Sequence, residues 1–310
     1  MCKVDIVIPL YKPEKELFTL LDSLLTQTVK VNRVILINTE EKYFTQLIYG
    51  SLFWEKYGDK VSVYHISQRE FNHGGTRRMA VRHSDAEVFV MMTQDAKPAN
   101  SYLLECLLKA LEPESVAAAY ARQLPAPDCG VIERYTRSFN YPGRSHVNTL
   151  ADLEKKGIKT FFCSNVCAAY KRSIYDKLGG FVKRTIFNED MIFAAGAIKN
   201  GYAVAYAADA EVIHSHNYTN MQQMRRNFDL GVSQADHPEI FQNVPSEKEG
   251  KKMVKDTSRW LWHHKKKRLL PHFYTQCACK YAGYLLGKHY KKLPKKLLMA
   301  CTDSPYYWKQ

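Results

Sequence analysis

The 310-residue sequence contains no run of about 18 uninterrupted apolar residues, the length a bilayer core demands of a helix, so no transmembrane helix is expected. Nor is a secretory leader expected. Met1 is followed almost at once by the strand-like "VDIVIPL", without a longer apolar core or a small-residue cleavage site, and cytoplasmic residence is the expectation. Cysteine forms no framework: Cys163/Cys167 and Cys277/Cys279 approach metal-ligand spacing, but neither pair has a matching second pair. That excludes a zinc finger or ribbon, and the thiols are expected to be reduced. There is no internal repeat and no low-complexity tract. Acidic residues are scarce in one region only. From Lys251 onward 2 Asp/Glu stand against 15 Lys/Arg, while the first 250 residues hold 29 against 30. Almost the whole net charge of +14 therefore belongs to the last fifth of the chain, leaving a neutral body and a cationic tail. No nucleic-acid-binding motif accompanies that charge, so nucleic acid is not an expected partner.

What is present suits a globular protein: 45% hydrophobic and 25% charged composition supplies a core for one large domain with an appendage, or two small domains. Residues 1–120 alternate strand and helix signals. "VDIVIPL", "RVILI", "VSVYHI" and "EVFVMM" are short apolar runs of the kind buried parallel strands show. Pro13 opens a segment whose Leu17, Leu20, Leu21, Leu24 and Leu25 share one helical face. "TRRMAVRHS" and "SYLLECLLKAL" read as further helices, and "SVAAAYA" as a further strand. Repeated units of this type predict a doubly wound sheet, whose ligands bind beyond the carboxyl ends of the strands. Pro9–Tyr11, Asn38–Glu41, His73–Arg77 and Gln94–Asp95 are thereby expected to meet at one edge. Beyond residue 122 the pattern loosens, and the stretch between "LPAPDCG" and "NYPG" reads as a mobile loop. "NEDMIFAAGAIKNG" is a helix with Asn188 as its cap and Gly201 as its stop, and "AEVIHSH" is a strand carrying two His on one face.

Three clusters could carry chemistry. Asp95 follows an apolar strand beside Gln94. It is either a loop or cap residue or a ligand for Mg²⁺ or Mn²⁺, which favour carboxylate oxygens. His214 and His216, at another strand end, favour the second alternative. Glu189 and Asp190 stand in a first helical turn, where the macrodipole alone would favour acids. The other possibility is that one is a general base while its neighbour stays structural. Finally, in "FNHGGTRRMAV", Gly74 and Gly75 would let backbone approach a ligand, and Arg77 and Arg78 sit at a helix start suited to phosphate.

"DIVIPLYKP", "FNHGGTRRMAV", "MMTQDAKP", "FCSNVCAAYKRSIYDKLGGF" and "NEDMIFAAGAIKNGY" occur in the order found in family-2 glycosyltransferases of GT-A fold, which the chain resembles over roughly residues 3 to 232. "HGGTR" and "TQDA" are most similar to forms in bacterial rhamnosyltransferases. The resemblance implies an α/β, Rossmann-like mixed sheet flanked by helices, with a catalytic domain at 1–235 and a basic helical region at 236–310. It implies that Pro9, Tyr11, Asn38, Glu40, His73, Gly75, Arg77, Gln94 and Asp95 bind the donor. It makes Asp95 with His214 or His216 the metal ligands, Asp190 the base, and Glu189 and Asn165 neighbours of the acceptor. Three positions depart from the family pattern. Thr93 replaces the first acid of the DxD motif, no Asp follows the second strand, and Arg78 stands where Asn is common.

The implied reaction is an inverting transfer of a sugar, L-rhamnose from dTDP-β-L-rhamnose, to a glycan or lipid-linked saccharide. Alternatives within the fold are UDP-glucose or UDP-galactose as donor, and a nucleotide-sugar-binding pseudoenzyme. The tail from "SRWLWHHKKKRLL" onward mixes Trp, Tyr and Leu with Lys, as do helices lying in a membrane interface. Peripheral attachment to the inner leaflet is therefore expected, with a packed, solvated basic extension as the alternative.

Overall fold

A computed structural model of the chain describes residues 2–309. Its first half follows the apolar runs. β1 (Val4–Tyr11) leads to α1 (Glu16–Leu25), β2 (Arg33–Thr39), α2 (Glu41–Ile48), α3 (Phe53–Tyr57) and β3 (Val61–Ile66). Next come α4 (His73–Val81), β4 (Val88–Met92), the short β5 (Lys97–Pro98), α5 (Leu103–Leu111) and β6 (Val116–Leu124). The second half holds α6 (Val131–Asn140), β7 (His146–Asn148), α7 (Leu153–Lys156), β8 (Cys167–Lys171), α8 (Arg172–Lys177), α9 (Glu189–Lys199) and β9 (Ala203–Ile213). Helices complete the chain: α10 (Asn220–Asp236), α11 (Pro238–Phe241), α12 (Glu247–His263), α13 (Leu270–Lys288) and α14 (Lys295–Cys301).

The strands form one mixed sheet in the order β3-β2-β1-β4-β8-β6-β9-β5, with β7 also paired to β9. β3, β2, β1 and β4 run parallel; β8 lies antiparallel between β4 and β6, and β6 and β9 are again parallel. Period-2 alternation divides the side chains between two cores. Ile6 and Ile8 join the leucines of α1 and α5, whereas Val7 faces Ala80 and Val81 of α4 and Phe193 of α9. The sheet is thus a middle layer between two sets of helices.

Two sequence expectations are corrected here. The stretch expected to be a mobile loop contains α6, although none of that helix is fully buried. One distant and two nearby partners hold it: Tyr135 packs 4.7 Å from the Trp260 ring of α12, and Arg134 donates to the carbonyls of Ala126 and Pro127 in the preceding loop at 3.1 Å. Asn188, expected to cap α9 with its side chain, makes no such bond and instead adopts φ +64°.

The basic helices fold back on the sheet domain. α13 packs along α10 at backbone contact, because Gly283 and Gly287 leave room for the carbonyls of Met224 and Phe228, into which any Cβ would collide. A third, smaller core of Ile186, Phe228, Val232, Cys301 and Tyr307 ties this region to the loop before α9. No helix among the described residues is long and apolar enough to cross a membrane.

Candidate active site

β1, β2 and β4 end at one edge, with Tyr11 level with Thr39. The Tyr11 N–H donates to Gln94 Oε1 at 2.9 Å and Gln94 Nε2 donates back to the Tyr11 carbonyl at 3.0 Å, bracing the two strand ends. Beside this brace a cleft of about 220 Å³ is lined on the sheet side by Tyr11, Thr39, Gln68, Phe71, Asn72 and His73. Pro9 lies two residues back in β1 and does not line it. Asn38 is fully buried: its amide donates to the Glu40 carbonyl at 3.0 Å and meets His65 Nδ1 at 3.0 Å. Strand alternation gives the cleft position to Thr39, so the expectation that Asn38 faces the donor is corrected. Glu40 takes φ +65° and its Oε1 accepts the Gln68 N–H at 2.7 Å.

The opening helix turn differs from its sequence reading. Asn72 caps α4 through Gly75 N–H at 2.7 Å. Gly74 and Gly75 lie inside the first turn, pressed against the carbonyls of Val182 and Lys183. The glycines thus serve helix–loop packing rather than approach to a ligand. Arg78 donates to the carbonyls of Gly179 and Phe181, which accounts for a cation where Asn is common. Arg77 turns inward. It is buried, with its Nε 3.1 Å from Glu189 Oε1 and a guanidinium nitrogen donating to His73 Nδ1 at 3.2 Å. Accepting that bond, His73 is neutral; burial depresses its pKa to about 4 against the opposing pull of Glu189.

Glu189 and Asp190 occupy different surroundings although adjacent. Glu189 is buried against Arg77, with His73 Nδ1 3.8 Å away and Asn165 Nδ2 donating at 2.9 Å. Burial alone would raise its pKa, but the Arg77 charge, with the Asn165 amide, outweighs that and holds it down. Tyr170 O–H donates to Asn165 Oδ1 at 2.7 Å, which orients the amide. Asp190 is half-buried; its Oδ2 accepts the Asn165 N–H and its Oδ1 the Met191 N–H, each at 2.8 Å. Burial, and then the Glu189 charge, push its carboxyl well above the usual carboxylate range. An ionised Glu189 beside a readily protonated Asp190 is the division expected of a structural acid and a working base.

Asp95, His214 and His216 converge, their ligand atoms lying within 4.8 Å of one another. Both His fall just past β9, whereas "AEVIHSH" had been expected to be strand throughout. Asp95 Oδ2 is 3.1 Å from His216 Nε2, Oδ1 is 3.6 Å from His214 Nε2, and the two Nε2 atoms are 3.0 Å apart. Protonation follows from a donor count. Arg137 can only donate, and it contacts Gln123 Oε1, which fixes the amide orientation. His214 Nδ1, 3.0 Å from the same oxygen, must then be the N–H, leaving a lone pair on Nε2 facing carboxylate and imidazole. One carboxylate and two imidazole nitrogens converging in this way form a ligand set that fits a divalent cation.

Gln123 joins this cluster to the acid pair. Its Nε2 donates to Tyr141 Oη at 2.6 Å and to Ser164 Oγ at 3.0 Å, and the next residue, Asn165, holds both acids. Gln123, Gln68 and Arg137 were missed by sequence reasoning, and Thr39 was expected only as part of the edge span Asn38–Glu41. Lys12 and Lys97 were missed too: they line a second cleft, of about 420 Å³, that includes Gln94 and Asp95. Adjacency to Tyr11 for Lys12, and a place two residues after Asp95 for Lys97, are the local features that could have signalled the two lysines.

The glycosyl transferase family 2 model matches residues 5–179. The chain is 37% identical over 308 residues to the O-antigen chain rhamnosyltransferase RfbN of Salmonella typhimurium, covering 99% of this chain and 96% of that one. To the O-antigen chain rhamnosyltransferase WbaN of Salmonella anatum it is 40% identical over 245 residues, 78% of each. Among solved structures it is similar in fold to the mannosyltransferase PcManGT of Pyrobaculum calidifontis in complex with GDP-Man and Mn²⁺. The TM-score is 0.58 at 16% identity, covering 99% of this chain and 85% of that one. The S. aureus TarS 1-349 structure gives 0.52 at 15% identity, covering 94% and 91%. With an α/β mixed sheet of this type, and relatives matched along most of its length, the chain belongs to glycosyl transferase family 2 and is a glycosyltransferase.

Proposed function

We infer that the protein transfers L-rhamnose from dTDP-β-L-rhamnose to a glycan acceptor, with inversion, during assembly of a cell-surface polysaccharide. The sugar is suggested by the likeness, along nearly the whole chain, to two O-antigen chain rhamnosyltransferases. The observation that carries the chemistry is the chain of contacts between Asp95 and Asp190: Asp95 Oδ1 lies 3.6 Å from His214 Nε2, hydrogen bonds join His214 to Gln123 and Gln123 to Ser164, and the next residue, Asn165, donates its N–H to Asp190. It supports reading the Asp95–His214–His216 cluster and the acid of raised pKa as parts of one site.

In this reading Asp190 accepts the proton of the acceptor hydroxyl as that oxygen attacks the anomeric carbon. The bond to the diphosphate breaks on the opposite face, and the product is an α-L-rhamnoside. Asp95, His214 and His216 would hold Mn²⁺ or Mg²⁺, with the two imidazoles favouring Mn²⁺. The bound cation would supply positive charge against the negative charge that develops on the departing diphosphate. Lys12 and Lys97, in the cleft beside Asp95, take the phosphate-facing role first assigned to Arg77. Arg77 instead acts through Glu189, whose ionised state it maintains. The acceptor is a lipid-linked saccharide at the inner leaflet. Trp262, Tyr274, Tyr281, Leu285 and Leu297 are exposed among the lysines of α12–α14 and give the enzyme a membrane-facing side.

The test is a comparison of dTDP-rhamnose, UDP-glucose, UDP-galactose and GDP-mannose as donors, preceded by thermal shift with dTDP, UDP and GDP. Stabilisation by dTDP and turnover of dTDP-rhamnose alone is the expected result. A preference for UDP and a UDP-hexose overturns the rhamnose assignment.

A further inference from the structure

The cleft beside Tyr11 has a second wall that comes from the far end of the chain: Asp303, Ser304, Pro305, Tyr306 and Tyr307. More than 290 residues separate Tyr11 from Tyr306 in sequence, so this wall must be positioned by its own anchors. There are three. Asp229 of α10, buried, accepts the Thr302 hydroxyl at 2.6 Å and the Asp303 N–H at 3.0 Å. Thr302 Oγ1 in turn accepts the Ser304 N–H at 3.0 Å and the Trp308 indole N–H at 3.2 Å. Arg184 donates to the Tyr307 carbonyl at 2.8 Å and lies 4.2 Å over the Tyr307 ring, which packs with Ile186 and Phe228. Burying a carboxylate to hold a terminal segment is costly, and apolar packing would have served stability alone. What the carboxylate adds is a fixed position for residues 303–307.

The chemistry of the cleft selects its occupant. None of its lining residues is Lys or Arg, and the strap adds the acid Asp303, so a diphosphate would find no partner there. Aromatic rings of Tyr11, Phe71 and Tyr306, with the amides of Gln68 and Asn72, suit an uncharged, flat, polar-edged group. The diphosphate is assigned to the other side of the Tyr11–Gln94 brace, where Lys12 and Lys97 supply the cations that the Tyr11 cleft lacks, beside the acids Glu14, Glu16 and Asp95.

We propose that residues 303–307 form a strap, latched to α10 through Thr302 and Asp229, that closes the nucleoside half of the donor site, with Tyr306 as a residue that determines nucleotide affinity. The proposal rests on the glycosyltransferase reading above and assigns the strap a part in donor recognition. Tyr306 is half-buried and outside the third core, so Tyr306→Ala leaves the fold intact. Thr302→Val keeps the shape but removes the latch.

The test uses the full chain and whichever nucleoside diphosphate gives the largest thermal shift with the wild type, read by calorimetry, with inorganic pyrophosphate as the phosphate-only probe. Tyr306→Ala should weaken nucleotide binding and raise donor KM about tenfold, the loss typical of one aromatic base contact, with kcat unchanged. Tyr306→Phe should bind as the wild type does, Thr302→Val should move in the direction of Tyr306→Ala, and pyrophosphate affinity should be equal in all four proteins. Unchanged nucleotide affinity in both Tyr306→Ala and Thr302→Val overturns the strap. So does tighter binding, which would make the segment an obstruction. A wild type that binds UDP rather than dTDP defeats the rhamnose assignment, and the same variants then judge the strap on UDP.

Discussion

Replacing Asp190 with Asn removes the proposed base while changing little else. The carboxylate accepts two backbone N–H groups, from Asn165 and Met191. An amide can accept only one of them, so the fold loses one hydrogen bond, a cost of about 1–3 kcal/mol for a buried donor left unpaired. Relief of the repulsion from Glu189 offsets part of that. Loss of a general base lowers the rate by about 10²–10⁴-fold. Asp190→Asn should therefore melt within a few degrees of the wild type, bind nucleotide normally and transfer sugar at least about a hundredfold more slowly. Turnover at saturating donor and acceptor measures this, and an Asn variant within threefold of wild-type kcat would refute the assignment. Because the working form is the ionised one and its pKa is raised, kcat/KM should fall as pH drops through that raised value. This acid limb lies nearer neutrality than the ordinary Asp pKa of about 3.9. Glu189→Gln supplies a second check. It deletes the charge that raises Asp190, so the limb should move to lower pH. It also strands the buried Arg77, at about 3–5 kcal/mol, so this variant loses more stability than Asp190→Asn does.

A chelator should abolish transfer and Mn²⁺ should restore it. His216→Ala should raise the Mn²⁺ concentration needed for half-maximal activity by about 10–100-fold, judged by metal titration of turnover; activity indifferent to chelator removes the cation. Gly287→Ala drives a Cβ into the Phe228 carbonyl and should lower Tm by several degrees, with thermal melts as the measure, since overpacking at a backbone contact costs about 1–3 kcal/mol. Changing the exposed Lys265, Lys266 and Arg268 to Glu should reduce flotation with anionic vesicles and leave recovery with neutral ones unchanged, as each lost cation removes about 1 kcal/mol of attraction. Equal recovery of both proteins defeats the membrane-facing assignment.

The parallel strands were legible because burial on both faces leaves continuous apolar runs, and "VDIVIPL" or "EVFVMM" can satisfy few other environments. α6 was not legible for the converse reason. "VIERYTRSFN" is polar, has no fully buried residue, and becomes a helix because Trp260 and three loop carbonyls receive it. The antiparallel entry of β8 was equally hidden, since a short buried strand of "CAAYK" pairs in either direction with the same side chains. Sequence pattern reports how buried a segment is, and only indirectly what lies beside it.

The same limit decided which site residues could be found. Asp95, His214 and His216 were visible because a strand end and a period-2 spacing are local features. Gln123, which connects them to Asp190, lies mid-strand, and its neighbours depend on a register shift between β6 and β9. Ala121 pairs with Ala207 but Arg122 with Glu211, and this skip carries Gln123 level with Val212 and within reach of His214. A continuous ladder would have set Gln123 opposite Asp209 and left His214 without a fixed tautomer. Likewise, nothing local separates Glu189 from Asp190. The choice is made by α4, which presents His73 and Arg77 to one side of α9 and so claims Glu189 as the counter-ion. Asp190, one residue and about 100° further round the helix, escapes that cation and keeps the raised pKa a base requires. Arg77, which the sequence offered as a phosphate ligand, is paired with Glu189 in this structure.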